Sequence, residues 1–280
     1  MIKKVALSIY NFVYNNVVPL FGRFFVSKNK YCNVIYYHDV VQDCGGSCMY
    51  INVDKFKMQM RHLKSMGFEF MRFDDFEYND KVKFQKKRLL IAFDDGWLSN
   101  YTEIFEFMRS EKIKYNVFLT IGEIGVNKNY LTWEMVREMH QSGIVGFGTH
   151  TYTHPDMSDL ERIDWRLEIE ESDNRFFREL GYEPHDFCYP FGYFSEDSIT
   201  RLISESAYLR IYLSESMFSY EQDGKIVFGR TGIKGENSIS DLMKAANGYK
   251  NLNYLYTRWF HTPVLAVYHL FHKPSIEKKR

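Results

Sequence analysis

The chain has 280 residues, 45% of them hydrophobic, and its 36 basic and 36 acidic side chains cancel to a net charge of zero. That length and apolar content suffice for one large core or two modest ones, and the absence of net charge removes any bulk electrostatic case for nucleic acid. Cys32, Cys44, Cys48 and Cys188 are too few and too scattered for a disulfide framework, which predicts reduced thiols and a cytoplasmic setting.

In chain order, Lys3 and Lys4 precede a short apolar run that resembles the start of a signal peptide. Asn11, Asn15, Asn16 and Pro19 interrupt it, and no stretch reaches membrane-spanning length, so residues 1–30 read as amphipathic, aromatic helix that is neither cleaved nor spanning. From residue 31 strands and helices alternate. Asn33 to Asp39 is an apolar strand ending in His38 and Asp39, Phe56 to Met66 is an amphipathic helix stopped by Gly67, and Glu69 to Met71 is a short strand. Leu89 to Phe93 is a strand apolar on both faces, and a helix is expected over Tyr101 to Glu111. Tyr115 to Thr120 is a strand, Thr132 caps a helix through His140 that Gly143 closes, and Ile144 to Gly148 is a strand. A long charged helix is expected over Asp159 to Leu180, ended by Gly181. The strand Asp186 to Tyr189, the helix Glu196 to Ser206, and strands at Tyr208 to Leu213 and Ile226 to Phe228 complete the series. This alternation argues for a parallel α/β barrel, with polar groups at the C-terminal ends of strands, where such barrels keep their active sites.

Two constellations stand out. The first is Asp94-Asp95-Gly96-Trp97, where the Leu89–Phe93 strand ends. Adjacent residues at a strand end point to opposite sides, so one carboxylate can bind a metal while the other stays ionised beside it as a base. Gly96 permits a sharp turn, and a solvated Asp-Gly turn is the plain alternative. The second is Gly148-Thr149-His150-Thr151-Tyr152-Thr153-His154-Pro155, where two imidazoles four residues apart can face one metal. Pro155 favours a loop over a helix at His154. With Asp95 the set becomes two nitrogens and one oxygen, with positions left for water and substrate, as in a catalytic zinc or similar divalent site.

With these residues in place, the sequence resembles the polysaccharide deacetylases of the chitooligosaccharide deacetylase-like superfamily. Ala92 to Gly96 is similar to the family's first motif, His150 to His154 to its second, and Tyr189-Pro190-Phe191-Gly192 to its aromatic-Pro-aromatic-Gly turn. The likeness covers roughly residues 31–247, including Trp133-Glu134 and Arg230. It implies a distorted (β/α)7 barrel, with the helical N-terminal segment 1–30 and the basic aromatic segment 248–280 as extensions. It also implies a hydrolase that removes acetyl groups, N-acetyl first, from a saccharide or glycan precursor by means of metal-activated water.

By that likeness Asp95, His150 and His154 hold a divalent metal, Zn2+ in the first place, and Asp94 is the general base. A backbone N–H near Phe191 serves the oxyanion, with Tyr189, Trp97 and Arg230 alongside as oxyanion- or substrate-binding residues. His38 is similar to a histidine that supplies the acid for the leaving amine in the branch whose motifs are circularly permuted. Many relatives carry an arginine two residues before the proline of the third motif, bracing the aspartate; Cys188 stands there, and Arg230 is the candidate replacement. The alternative functions are a catalytically silent saccharide-binding homologue in a biosynthetic complex and a non-sugar amidase. Cys44 and Cys48 read as part of an active-site loop, and Tyr152, Trp97, Tyr193 and Phe194 as candidate sugar platforms or ordinary barrel packing. His261, His269 and His272 lie in the basic aromatic tail, which offers no convincing late Leu-x-His segment, and read as helix-surface histidines.

Charge is segregated along the chain. Residues 1–30 carry five basic residues and no acidic one, and residues 249–280 carry six basic against one acidic, so each end is +5 and residues 31–248 are −10. Basic, aromatic ends on an acidic barrel predict peripheral contact with the inner membrane face and would suit a lipid-linked saccharide as substrate.

Overall fold

The computed structural model describes residues 11–25, 31–43, 49–75 and 87–256. The Cys44–Cys48 loop and the three late histidines lie outside the described residues.

Seven parallel strands close into a barrel: β1 (Asn33–Tyr37), β5 (Arg88–Phe93), β6 (Tyr115–Leu119), β7 (Val145–Thr149), β8 (Asp186–Cys188), β9 (Arg210–Leu213) and β11 (Lys225–Gly232). Closure is the β1–β5 pairing, Asn33 opposite Leu89 through Tyr37 opposite Phe93, with β11 on the other edge of β1. The distortion sits at β5. β4 (Glu69–Met71) pairs with Arg88–Leu90, whereas β6 pairs only with Ala92 and Phe93, so the far edge of β5 is shared between two strands. A small parallel pair, β2 (Asp39–Val41) with β3 (Tyr50–Asn52), stands apart, and β10 (Tyr220–Gln222) is antiparallel to the start of β11.

Period-2 alternation decides what each barrel strand presents to the interior. On β5, Leu89, Ile91 and Phe93 face the surrounding helices and pack with Phe56 and Met60 of α2 (Val53–Ser65). Leu90 and Ala92 face inward and meet Val34, Phe118, Tyr212 and Phe228. β7 supplies Gly146 and Gly148 on its inward face, because that space is already filled. A Cβ at Gly146 would lie 2.5 Å from Asn116 Oδ1, and one at Gly148 2.8 Å from the Phe118 ring. Asn116 joins the β4 and β5 regions, donating to the Met71 and Ile91 carbonyls and accepting from Phe73 N–H.

The helices begin where side-chain caps appear. Asn52 accepts from Asp54 and Lys55 N–H, so α2 starts three residues before the expected Phe56. Thr132 caps α5 (Trp133–Gln141) as its sequence suggests, and Ser195 caps α7 (Glu196–Glu205). Two expected helices are shorter. The stretch 101–111 is divided into α3 (Ser99–Thr102) and α4 (Phe105–Glu111). The charged stretch from Asp159 opens with one 3-10 turn, Leu160–Arg162, and becomes continuous helix only from a π stretch, Arg166–Glu171, leading into α6 (Ser172–Leu180). Its start is marked by Asp164, whose side chain accepts from Leu167 N–H at 3.2 Å. After β11, α8 (Ile239–Ala246) packs on β1, and α9 (Asn253–Tyr256) ends the described chain. At the N-terminus a π stretch, Val13–Val17, continues into α1 (Val18–Gly22).

Candidate active site

The site is assembled by the same parity rule carried one residue past each strand. Inward positions on β1 are Val34 and Tyr36, and the next is His38; on β5 they are Leu90 and Ala92, and the next is Asp94; on β7 they are Gly146 and Gly148, and the next is His150. β9 adds Ser214 beyond Arg210 and Tyr212. These groups line one cavity of about 360 Å³ at the C-terminal rim, together with Asp95, His154, Phe191, Tyr193 and Lys234.

The backbone leaves regular geometry to bring in the others. Asp95, Thr151, His154 and Phe191 all have φ between 56° and 72°, four of the six non-glycine residues with positive φ among those described. Each such residue costs about 1 kcal/mol or more, and strain of this kind collects at functional sites. The turn at Asp95 sends its carboxylate to His154 (Nε2 to Oδ1 3.3 Å) and His150 (Nε2 to Oδ1 3.6 Å), away from Asp94. Gly96 completes that turn under Ile124, whose side chain would lie 2.9 Å from an added Cβ. The second oxygen of Asp95 accepts from Trp97 Nε1 at 2.9 Å.

His150 Nδ1 lies 2.7 Å from the Cys188 carbonyl, so the tautomer that donates to this oxygen leaves the Nε2 lone pair facing Asp95. Burial lowers the His150 pKa to about 4, with Asp94 and Asp95 pulling the other way, and the ring is neutral at pH 7 as a ligand must be. The His150–His154 segment is a loop, held by Glu168, which is 4% exposed. Glu168 Oε2 accepts from the N–H groups of Tyr152 and Thr153 at 3.0 and 2.9 Å, and Thr153 Oγ1 donates to Oε1.

Asp94 is held differently. Arg230 grips it with two hydrogen bonds, Nη1 to Oδ1 at 2.6 Å and Nη2 to Oδ2 at 2.9 Å, and neither side chain is more than 3% exposed. The guanidinium also donates to Ser214 Oγ and to Cys188 Sγ, and stacks 4.2 Å over the Tyr36 ring. Burial alone would raise the Asp94 carboxyl, but Arg230 outweighs it and holds the group below the usual carboxylate range.

Among the described residues, two groups of three donors lie close enough to share an ion: Asp95, His150 and His154, and Asp94, His150 and Cys188. In the second, Asp94 and Cys188 both face the Arg230 cation, and burial keeps the thiol protonated by raising its pKa. The first offers two imidazoles and one ionised carboxylate, without an arginine gripping the donors, which fits a divalent metal.

Not every expected site residue faces the cavity. Tyr189 is 1% exposed and packs edge-on against Phe187 in the outer core, so only its backbone contributes to the turn before Phe191. Arg230 is spent on Asp94 rather than presented to a substrate. Trp97 lies outside the cavity lining, where it positions Asp95 and stacks on Tyr130. Phe191 does reach the mouth, 59% exposed with its ring 4.4 Å from that of His154. Sequence reasoning missed Ser214, Tyr36 and Lys234, although the parity of β9 and β1 could have yielded the first two. Glu168 had no local signal, since it lies fourteen residues beyond His154 in an ordinary charged helix.

The rim of this parallel α/β barrel thus carries a two-histidine, one-carboxylate cluster. The family model for polysaccharide deacetylase matches residues 81–208. The chain is 25% identical over 168 residues to YxkH of Bacillus subtilis (strain 168), covering 59% of this chain and 58% of that one. It is also 25% identical over 166 residues to the poly-beta-1,6-N-acetyl-D-glucosamine N-deacetylase of Staphylococcus aureus (strain MRSA252), covering 53% and 56%. The alignments therefore span a little over half the length of these relatives. The Streptococcus pyogenes deacetylase PplD, solved in complex with acetate, shares the fold with a TM-score of 0.67 at 19% identity, over 77% of this chain and 97% of that one. Residues 81–208, which hold both the Asp94–Asp95 pair and the His150–His154 loop, are thus identified with the polysaccharide deacetylase family.

Proposed function

We propose that this protein is a metal-dependent hydrolase that removes acetyl groups, N-acetyl first, from a saccharide or glycan precursor. The observation that carries the reading is the separation of two adjacent carboxylates. Asp95 is turned onto His150 and His154, while Asp94 is locked on Arg230, and both line one cavity. A silent binding protein has no need of the second arrangement.

Asp95, His150 and His154 would hold the ion, with Zn2+ the first choice for two imidazoles and a carboxylate. When bound, it supplies Lewis acidity, which acidifies water and polarises an acyl oxygen. Asp94 takes the proton of the attacking water. Its lowered pKa makes it a weak base, always ionised at neutral pH, and Arg230 fixes where its oxygens point. The Phe191 N–H, on the strained turn at the mouth, meets the developing oxyanion. His38, which lines the same cavity, delivers a proton to the departing nitrogen as the carbon–nitrogen bond breaks and acetate leaves. The exposed rings of Phe191 and Tyr193, 5.7 Å apart, offer apolar faces to a sugar at the mouth. We place the reaction in the cytoplasm, in keeping with the buried free thiols of Cys32 and Cys188.

The test is acetate release from a panel of N- and O-acetylated saccharides and simple acetamides, before and after chelation and with Zn2+ restored. Release from saccharides that chelation abolishes and Zn2+ recovers is the expected result. Release unaffected by complete removal of metal, or confined to simple acetamides, would overturn it.

A further inference from the structure

The outward face of the N-terminal helix is apolar. Phe12, Asn16, Leu20 and Phe24 follow one another at four-residue steps, which keeps them on one side of a helix, and all are exposed. Phe12 is 61% exposed, Leu20 55%, Phe24 78%, and Phe21 beside them 57%. This helix is not free to turn these residues inward, because its other face is docked. Pro19 and Gly22 are buried, a Cβ at Gly22 would lie 2.0 Å from the Tyr249 carbonyl oxygen, and Lys244 donates to the Asn15 carbonyl at 3.0 Å. A helix fixed by packing ordinarily turns polar residues to water. Here the pattern is inverted, and an exposed apolar patch of this kind marks an interaction surface.

Charge selects the partner. Residues 1–30 hold five basic side chains and no acidic one, and residues 249–280 add a further net +5, against −10 for the rest of the chain. The described parts of these two stretches meet where the helix docks, with the Arg23 guanidinium 5.5 Å from the Tyr249 ring centroid. A second copy of the chain would set two such basic stretches against each other, since a two-fold contact pairs a patch with itself. An anionic lipid surface uses both the apolar stripe and the surrounding positive charge. No helix among the described residues is long and apolar enough to cross a membrane.

We propose that residues 11–25 form a docking surface for an anionic lipid membrane. Phe12, Leu20, Phe21 and Phe24 enter the interface, and the flanking lysines and arginines meet the lipid phosphates. The placement also sets the orientation. Asn33, the first residue of β1, donates to the Ala246 carbonyl, so the Gly22 end of the docked helix, which packs on Tyr249, lies toward the N-terminal rim of the barrel. The catalytic mouth is at the opposite rim and stays uncovered. This surface stands independently of the catalytic reading.

The experiment is co-sedimentation of the full chain with vesicles of phosphatidylcholine alone and with phosphatidylglycerol added. Binding should need the anionic lipid and weaken as salt rises from about 0.1 M to about 0.5 M. The variant F12S/L20S/F21S/F24S removes only exposed side chains. It should keep the parent's thermal midpoint and lose roughly a hundredfold or more in partitioning. A second variant, K3E/K4E/K28E/K30E, should lose binding to anionic vesicles without touching the stripe. Equal recovery with both vesicles, no binding at low salt, or a dimer by light scattering that the serine variant abolishes would each overturn the proposal.

Discussion

Replacing Arg230 by methionine tests the arrangement on which the base depends. The substitution keeps much of the side-chain length and removes a charge that makes two hydrogen bonds to Asp94 inside the barrel, with both partners almost wholly buried. Breaking a buried pair by removing one member leaves an uncompensated charge and costs about 3–5 kcal/mol. The pH dependence carries more information than the loss itself. In the parent, the Asp94 pKa is depressed, so its contribution is present above the unfolded carboxylate value and is lost as pH falls through the folded one. Without Arg230 the largest remaining influence is burial, which raises the pKa. The variant should then lose stability as pH rises through that value, as the buried carboxylate ionises. The deficit relative to the parent should therefore be largest near pH 8 and shrink toward pH 4.5, measured by thermal unfolding with metal chelated. With metal restored, the acidic limb of the acetate-release profile should move to higher pH. Arg230→Lys should recover charge without the two-pronged grip, and so recover stability more than turnover. A deficit that does not vary with pH, together with an unmoved acidic limb, would refute the role given to this pair.

Alanine at Asp95, His150 or His154 should sharply reduce metal content by elemental analysis. Asp94→Asn should keep the metal and lose about 10²–10⁴-fold in turnover, and the reverse pattern would exchange the two carboxylates. His38→Ala should slow an acetamide more than an activated acetate ester, whose leaving group needs no proton, and equal losses would remove it from the acid role. Glu168→Gln keeps the shape but removes the charge accepting two backbone N–H groups, and should weaken metal affinity by about 10–100-fold with the barrel intact by circular dichroism.

Much of the barrel was legible because each central strand carries its own signal. Leu89 to Phe93 is apolar at every position, as a strand buried on both faces must be, and Thr132 and Ser195 mark helix starts by side-chain chemistry that needs no tertiary information. Legibility failed where distant residues decide local shape. The His150–His154 loop is one case, since its shape depends on Glu168 accepting from Tyr152 and Thr153 N–H, whereas the late helix start is local, set by Asp164, whose side chain accepts from Leu167 N–H. The start of α2 at Asn52 was missed for a simpler reason, a capping asparagine passed over in favour of the first aromatic. Among the site residues, the motif-borne ones were found at once, whereas Ser214 and Tyr36 follow only when the parity of a strand is extended to its neighbours around the barrel.

The position of Arg230 shows how the same carboxylate can be braced from a different strand. The resemblance places an arginine two residues before Pro190, on β8, where this chain has Cys188. In the barrel, Cys188 on β8 and Arg230 on β11 both point inward near the rim, and the guanidinium lies 2.9 Å from the sulfur. A short side chain at Cys188 opens the space, and a long one reaching across from β11 fills it with the charge Asp94 needs. Val34 is paired with Arg230 and Leu90 with Val34, so the arginine and the β5 interior sit on neighbouring strands across β1 at one level. Asp94 lies above that level, and a guanidinium extended upward over Tyr36 arrives at its carboxylate. What the chemistry requires is a cation at one point inside the barrel. Closure of the sheet brings several inward positions within reach of that point, and the strand that supplies the cation is free to differ.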